Sequence, residues 1–146
     1  MITALDHFVL LCRDIEAATA DYTLLLGVPP AWRATQDGVA TAVYALGNTA
    51  LELMAPAGAG NVADKLRDMT AQGPKLTTLV YRSDDVSGDH HLMTRRGLSP
   101  SAISAGHSQH QDTGAQRTWQ RFRIPDDRMA GIKTFLIQPE AALAPQ

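Results

Sequence analysis

The sequence predicts an α+β fold in which two modules of the order βαβββ follow each other along one chain. Short apolar runs of strand length alternate with stretches of helical spacing, and the same order of elements occurs in both halves. The two halves share little sequence identity, so the repeat is one of structure. With 146 residues, of which 45% are hydrophobic, the chain is long enough for one domain with an ordinary core.

The first module is predicted over residues of about 4–56. Its helix follows the N-cap residue Asp14 and ends at Gly27, a common C-terminal stop, and apolar residues recur between them at helical spacing. An Asp-Gly turn at residues 37–38 indicates a hairpin. The strands are expected at residues 4–11, 32–35, 39–46 and 49–54.

A linker with a helix at about 61–73 separates this module from the second, which is predicted over about 75–138. The second helix begins near Ser83 and runs to about Arg96, with Gly97 as its stop. The polar, aperiodic stretch 106–116 is predicted to be a loop. The strands are expected at residues 76–81, 100–104, 117–124 and 132–137.

Composition excludes several classes of protein. The net charge of −2 and the lack of a Lys/Arg run argue against nucleic-acid binding. No stretch approaches the roughly 20 apolar residues that span a bilayer, and the start of the chain lacks a signal-peptide pattern. The single cysteine, Cys12, ends an apolar run and is interpreted as a buried hydrophobe. We therefore expect a soluble, cytoplasmic protein without membrane or nucleic-acid partners.

Three segments carry a resemblance to a known family: LDHFVL at 5–10, RDIEAA at 13–18 and LGNTALELMAP at 46–56. They resemble the vicinal oxygen chelate superfamily of glyoxalase I, methylmalonyl-CoA epimerase, extradiol dioxygenases and bleomycin-resistance proteins. The first half is most similar to the epimerase and glyoxalase-like group. The resemblance implies that the two modules form a cup-shaped mixed β-sheet with the helices outside.

The resemblance also implies a metal site with two ligands from each module. The first module supplies His7 and Glu52 at the matching positions, whereas Thr78 and Phe135 stand at the positions of the second module. Neither of the latter is a competent ligand for Zn, Mn, Fe or Ni. We therefore expect no tightly bound divalent metal. His7 and Glu52 are either half of a working metal site or a buried His–Glu hydrogen bond that marks the floor of the cup.

Other residues are candidates for catalysis or ligand binding. His107 and His110, in the predicted loop, could complete the metal site or act with Glu52 in acid–base catalysis, although a mobile surface loop is the simpler interpretation. Arg117, Trp119, Arg121 and Arg123 occupy every second position of one predicted strand, so their side chains would face one side of the sheet. There the arginines could bind a carboxylate or phosphate, or they could face solvent or another subunit. The ligand-binding candidates are Trp32, Tyr44, Thr78, Arg117, Gln120 and Phe135.

Two functions remain open on the sequence. One is a glyoxalase-like protein that binds or converts a small oxygenated metabolite in the cup, and by resemblance it would be a lyase, an isomerase or a dioxygenase. The other is a metal-free protein that binds or sequesters a small molecule, like the bleomycin-resistance proteins. Since single modules expose sheet edges, we also expect a homodimer.

Overall fold

The protein has the predicted α+β fold, and the computed structural model describes residues 1–140. One eight-stranded sheet has the strand order β2-β3-β4-β1-β5-β8-β7-β6. The strands are β1 Ile2–Leu11, β2 Trp32–Gln36, β3 Val39–Ala45, β4 Ala50–Pro56, β5 Lys75–Ser83, β6 Ser104–Gln109, β7 Gln116–Ile124 and β8 Lys133–Pro139. The α-helices are α1 Ile15–Leu26, α2 Asn61–Met69 and α3 Val86–Arg95.

The strand pairing is the same in both halves of the chain. In the first half β1 pairs parallel with β4, and β4, β3 and β2 continue as antiparallel neighbours. In the second half β5 pairs parallel with β8, and β8, β7 and β6 continue in the same way. The two halves join where β1 pairs antiparallel with β5. Each half is thus a βαβββ module, and the two first strands lie side by side in the middle of the sheet.

The sheet curves until its two edge strands meet. The side chain of Trp32 on β2 donates a hydrogen bond from Nε1 to Ser108 Oγ on β6, at 2.9 Å. The amide of Gln111 donates to the carbonyl of Arg33 at 2.8 Å, and Gln36 donates to the carbonyl of His107 at 3.1 Å. The edge strands therefore satisfy part of their free backbone groups within one chain, which gives the sheet its nearly closed, cup-like shape.

The convex face of the sheet carries the apolar cores. On the first module α1 packs over a cluster that includes Tyr44, Leu51 and Leu53. On the second module α3 packs over Phe122, Ile124 and Leu136. Because side chains alternate between the two faces of a strand, the residues between these core positions, such as Glu52 and Phe135, face the concave side.

Local signals located the helices well. The Asp14 carboxylate accepts hydrogen bonds from the amides of Glu16 and Ala17 at 3.0 and 3.1 Å, and Gly27 has the left-handed φ of 73° that the predicted stop requires. The predicted burial of Cys12 is also confirmed. None of the helices in residues 1–140 is long and apolar enough to cross a bilayer.

The prediction was wrong between residues 100 and 109, whereas residues 110–115 form a turn as expected. The expected strand at 100–104 is largely irregular, and β6, Ser104–Gln109, occupies much of the expected loop. This edge strand has polar side chains, and its inward side chains meet polar or aromatic groups of β2 and β7. It therefore lacks the apolar alternation on which strand prediction depends, and cross-strand hydrogen bonds to β7 hold it in place.

Candidate functional site

The concave face holds a cleft of about 190 Å³ between the two modules. Its floor comes from β1 and β4, and side chains of β5 and β7 reach it from the second module. The ionisable side chains that line it are Asp6, His7, Glu52, Arg82 and Arg117. A cleft in which charged groups of both modules converge is the strongest candidate for a ligand site in the described part of the chain.

A β-bulge in β1 brings two adjacent residues into this cleft. Leu5 pairs with Tyr81 and His7 with Val80, so two steps on β1 correspond to one step on β5, and Asp6 is the extra residue. In a regular strand Asp6 and His7 would point to opposite faces, but a bulge redirects side chains. The hydroxyl of Thr49, which precedes β4, donates to the carbonyl of Leu5 at 3.0 Å and ties down the bulge.

The side chains in the cleft form a connected polar chain. Arg82 Nε donates to Asp6 Oδ1 at 2.7 Å, and Asp6 Oδ2 lies 2.7 Å from His7 Nδ1. On its other side, His7 Nε2 lies 3.6 Å from Glu52 Oε2. A carboxylate at Nδ1 holds the proton on that nitrogen and leaves Nε2 directed at the cleft and Glu52.

The environment of Asp6 keeps it ionised. Burial by itself raises the pKa of Asp6, but the hydrogen bonds from His7 and Arg82 outweigh the burial and lower the pKa below its ordinary value. Asp6 is therefore a fixed negative charge that both orients the imidazole and binds Arg82.

Three of the sequence-predicted site residues line the cleft together: His7, Glu52 and Arg117. Trp32 is adjacent, since the Arg117 guanidinium lies 5.1 Å from its ring centroid. Tyr44 and Gln120 lie on the opposite face. Tyr44 is fully buried beneath α1, and its hydroxyl is hydrogen-bonded to Thr19 and Thr23. Gln120, three residues after Arg117 on β7, points to the face opposite Arg117 and is exposed.

The remaining candidates do not reach the cleft lining. Thr78 is buried beside Val9, and its hydroxyl lies 3.1 Å from that of Thr77. Phe135 faces the concave side but is covered by two arginines of β7, with guanidinium carbons 5.3 and 5.7 Å from its ring centroid. His107 is exposed on β6, and the His110 ring packs edge-on against Trp32 with centroids 5.1 Å apart.

The side chains present do not fit a four-ligand metal site. His7 is oriented by Asp6 as metal-binding histidines commonly are, and Glu52 is its nearest acidic neighbour. However, within residues 1–140 no group of three or more His, Cys, Asp or Glu side chains is arranged to hold a metal ion. His107 and His110, the expected sources of a third ligand, do not lie among the cleft residues.

Sequence reasoning missed Asp6 and Arg82 as members of the site. Asp6 is a charged residue within an apolar strand, and in a regular strand its side chain would point to the face opposite His7. Arg82 lies 76 residues from Asp6 along the chain and reaches it only through the pairing of β1 with β5. A charge that interrupts an apolar strand next to a candidate histidine is the local signal that could have indicated a bulge.

Comparison with known proteins agrees with this architecture. A family model for the glyoxalase-like domain matches residues 5–146, whereas no curated protein matches the sequence. Methylmalonyl-CoA epimerase from Mycobacterium tuberculosis is similar in structure, with a TM-score of 0.75 and 22% identity over 96% of this chain and 90% of that chain. The Streptomyces coelicolor epimerase in complex with 2-nitronate-propionyl-CoA has a TM-score of 0.75 and 17% identity, and the match covers 99% of this chain and all of that one. At these identities the likeness establishes a shared fold.

Proposed function

Because this chain belongs to the glyoxalase-like domain family of the vicinal oxygen chelate superfamily, we propose that it binds a small oxygenated metabolite in the cleft of Asp6, His7, Glu52, Arg82 and Arg117. The proposal needs no tightly bound metal. The protein then binds or sequesters its ligand. It has the cup-shaped sheet of the family, but a different set of polar side chains lines the cup. A cytoplasmic location is part of the proposal.

One observation carries it: His7 Nε2 and Glu52 Oε2 face each other at 3.6 Å in the cleft. In the neutral imidazole that carries its proton on Nδ1, toward Asp6, both atoms present lone pairs. Two acceptors at this separation repel each other unless a donor lies near both. A hydroxyl group of a ligand supplies such a donor, and it also has lone pairs for neighbouring donors.

The positions of Thr78 and Phe135 support binding without a resident metal. Thr78 packs next to Val9, and the Phe135 ring lies beneath the guanidinium groups of Arg121 and Arg123. Positive charges beside an aromatic ring are a poor environment for a further cation. We therefore assign no step of ligand binding to a metal.

A second candidate is an enzyme of the isomerase class, in preference to a lyase or dioxygenase. The favouring observation is again the pair of His7 and Glu52, because two adjacent proton acceptors are what an isomerase needs to move a proton on carbon. The solved structures that resemble this chain include epimerases, one of them in complex with methylmalonyl-CoA. In this reading Glu52 accepts the proton from carbon, His7 Nε2 is the second proton-accepting group, and the Arg117 guanidinium in the same cleft stabilises the negative charge that develops on the substrate.

The proposal is tested by titrating isotopically labelled protein with neutral oxygenated probes, glycerol and hydroxyacetone, and with lactate, while following backbone amide resonances. We expect shifts at the amides of residues 5–7 and 46–52 that saturate, and their loss in His7→Ala and Glu52→Gln. The matched control is His91→Ala, which removes an exposed histidine of α3. Shifts confined to other regions, or none with any probe, would refute ligand binding in this cleft.

The enzyme reading is separated from binding alone in the same samples. An isomerase that removes a proton from carbon in D₂O exchanges that proton for deuterium, and the exchange appears as loss of a ligand resonance. Exchange with bound hydroxyacetone or lactate that disappears in Glu52→Gln supports the enzyme. Saturable binding without exchange supports the binding protein.

A further inference from the structure

Arg117 stands out in the cleft, because its guanidinium lies between the only two tryptophans of the chain. Its central carbon is 5.1 Å from the ring centroid of Trp32 and 5.7 Å from that of Trp119. Resting on the proposed ligand cleft, we propose that Arg117 is the anchor for a carboxylate. The ligand class is then a small hydroxy acid, with its carboxylate on Arg117 and its hydroxyl at Glu52 and His7.

Arg117 has no partner for its charge among residues 1–140. Two other arginines on the concave face are paired, Arg82 with Asp6 at 2.7 Å and Arg123 with Asp126 at 2.6 Å. Arg121 has no acidic partner in the described part of the chain either, but it is exposed and lies over Phe135. No carboxylate of the described residues lies within 4.0 Å of the Arg117 guanidinium. A partly buried cation without a hydrogen-bonded partner is costly, and an anionic ligand removes that cost.

The electrostatics of the cleft agree with an anion at Arg117. Burial lowers the pKa of Arg117, and the negative charges of Glu52 and Asp6 act in the opposite direction. The guanidinium stays protonated at any physiological pH. The two indole rings hold the guanidinium in place, its N–H groups make no hydrogen bond within the described residues, and the planar N–H fork of a guanidinium matches the two oxygens of a carboxylate.

The charges in the cleft favour a monoanion with a hydroxyl group over a dianion. Asp6 is neutralised by Arg82, which leaves one negative charge, Glu52, and one positive charge, Arg117. A doubly charged phosphate would bring its second charge close to Glu52 and Asp6. A monocarboxylate neutralises Arg117, and a hydroxyl donor on the same molecule faces the Glu52 carboxylate rather than repelling it.

Gly106 on β6 leaves the space in which the Trp119 indole lies beside Arg117. A Cβ at this position would overlap with Nε1 of that indole. Because residue 106 pairs with residue 119 across β6 and β7, the indole can lie flat against the neighbouring strand only where no side chain exists. Gly106→Ala should therefore displace Trp119 without changing any charge in the cleft.

Both tryptophans flank Arg117, so intrinsic fluorescence reports on this site directly. The experiment titrates the intact protein with lactate, propionate, methyl lactate and inorganic phosphate. We expect a saturable change with lactate, and weaker binding of propionate, which lacks the hydroxyl, and of methyl lactate, which lacks the charge. Lactate should bind about ten- to a hundredfold more weakly to Arg117→Gln, as expected for the loss of charge-assisted hydrogen bonds.

Control variants separate this role from a purely structural one. Arg121→Gln removes a positive charge from the same strand and face, but at Phe135 and outside the cleft, and should leave lactate affinity unchanged. Arg117→Lys keeps the charge and loses the planar fork, and should recover only part of the affinity. Gly106→Ala should weaken lactate binding while the protein stays folded by circular dichroism.

The outcomes distinguish this inference from the proposed function. Equal lactate affinity in wild type and Arg117→Gln, tighter binding of phosphate than of lactate, or no response to any carboxylate overturns the carboxylate anchor. If glycerol or hydroxyacetone still binds in a manner that depends on His7 and Glu52, the proposed function survives that result. If none of the neutral or anionic probes binds in the cleft, both proposals fail.

Discussion

Replacing Tyr44 by phenylalanine removes one buried oxygen and keeps the ring in place. Tyr44 is fully buried; its hydroxyl donates to the carbonyl of Thr19 at 2.9 Å and shares a hydrogen bond with the Thr23 hydroxyl at 2.7 Å. Two buried hydrogen bonds contribute about 1–3 kcal/mol together, and the retained ring leaves no large cavity. For a chain of this size we expect a fall in Tm of roughly 2–12 °C.

The neighbouring Thr19 supplies a change of opposite sign. Its side-chain hydroxyl is buried without a hydrogen-bond partner in the described structure. Thr19→Val removes this unsatisfied group at nearly constant size and should raise stability by about 1 kcal/mol. Both effects belong to the packing of α1 on the convex face, so neither variant should alter ligand binding in the cleft.

The assay is urea and thermal unfolding of wild type, Tyr44→Phe and Thr19→Val, with lactate titrations on the same samples. Tyr22→Phe is the matched control, because Tyr22 also packs on this core, with its ring centroid 6.4 Å from that of Tyr44, and is only partly buried. The reasoning is refuted if Tyr44→Phe is as stable as Tyr22→Phe. Weakened lactate binding with unchanged stability would return Tyr44 to the ligand site.

Three further predictions concern charge, metal and assembly. The lowered pKa of Asp6 means that its contribution to stability is complete above about pH 4 and is lost as pH falls through that lowered pKa. The difference in unfolding free energy between wild type and Asp6→Asn should accordingly shrink on acidification to about pH 2, and a constant difference would contradict the role of Asp6. Elemental analysis of protein purified without added metal should find far less than one equivalent of Zn, Mn, Fe or Ni; one equivalent that is lost in His7→Ala would show that a metal site exists. Although β2 and β6 meet within one chain, we still expect a homodimer, because Leu24 and Leu25 on α1 are 83% and 74% exposed. Light scattering should give a mass of twice 15.7 kDa. A mass of 15.7 kDa at every protein concentration tested would refute the dimer.

The sequence by itself determined the features that depend on near neighbours in the chain. Asp14 and Gly27 bound α1 because cap interactions join residues only a few positions apart. The Asp-Gly turn between β2 and β3 and the repeated order of elements predicted the modules for the same reason. Resemblance to a family then indicated the position of His7 and Glu52 on the concave face, where both lie.

Only the tertiary structure decided the composition of the site. The bulge that turns Asp6 into the cleft arises from the register of β1 against β5, and Arg82 joins Asp6 across that same pairing. The inward or outward position of Tyr44 depends on how β3 pairs with β4, since a shift of one residue moves every side chain to the other face. Strand register is fixed by partners far away in the chain, and no local pattern of residues records it.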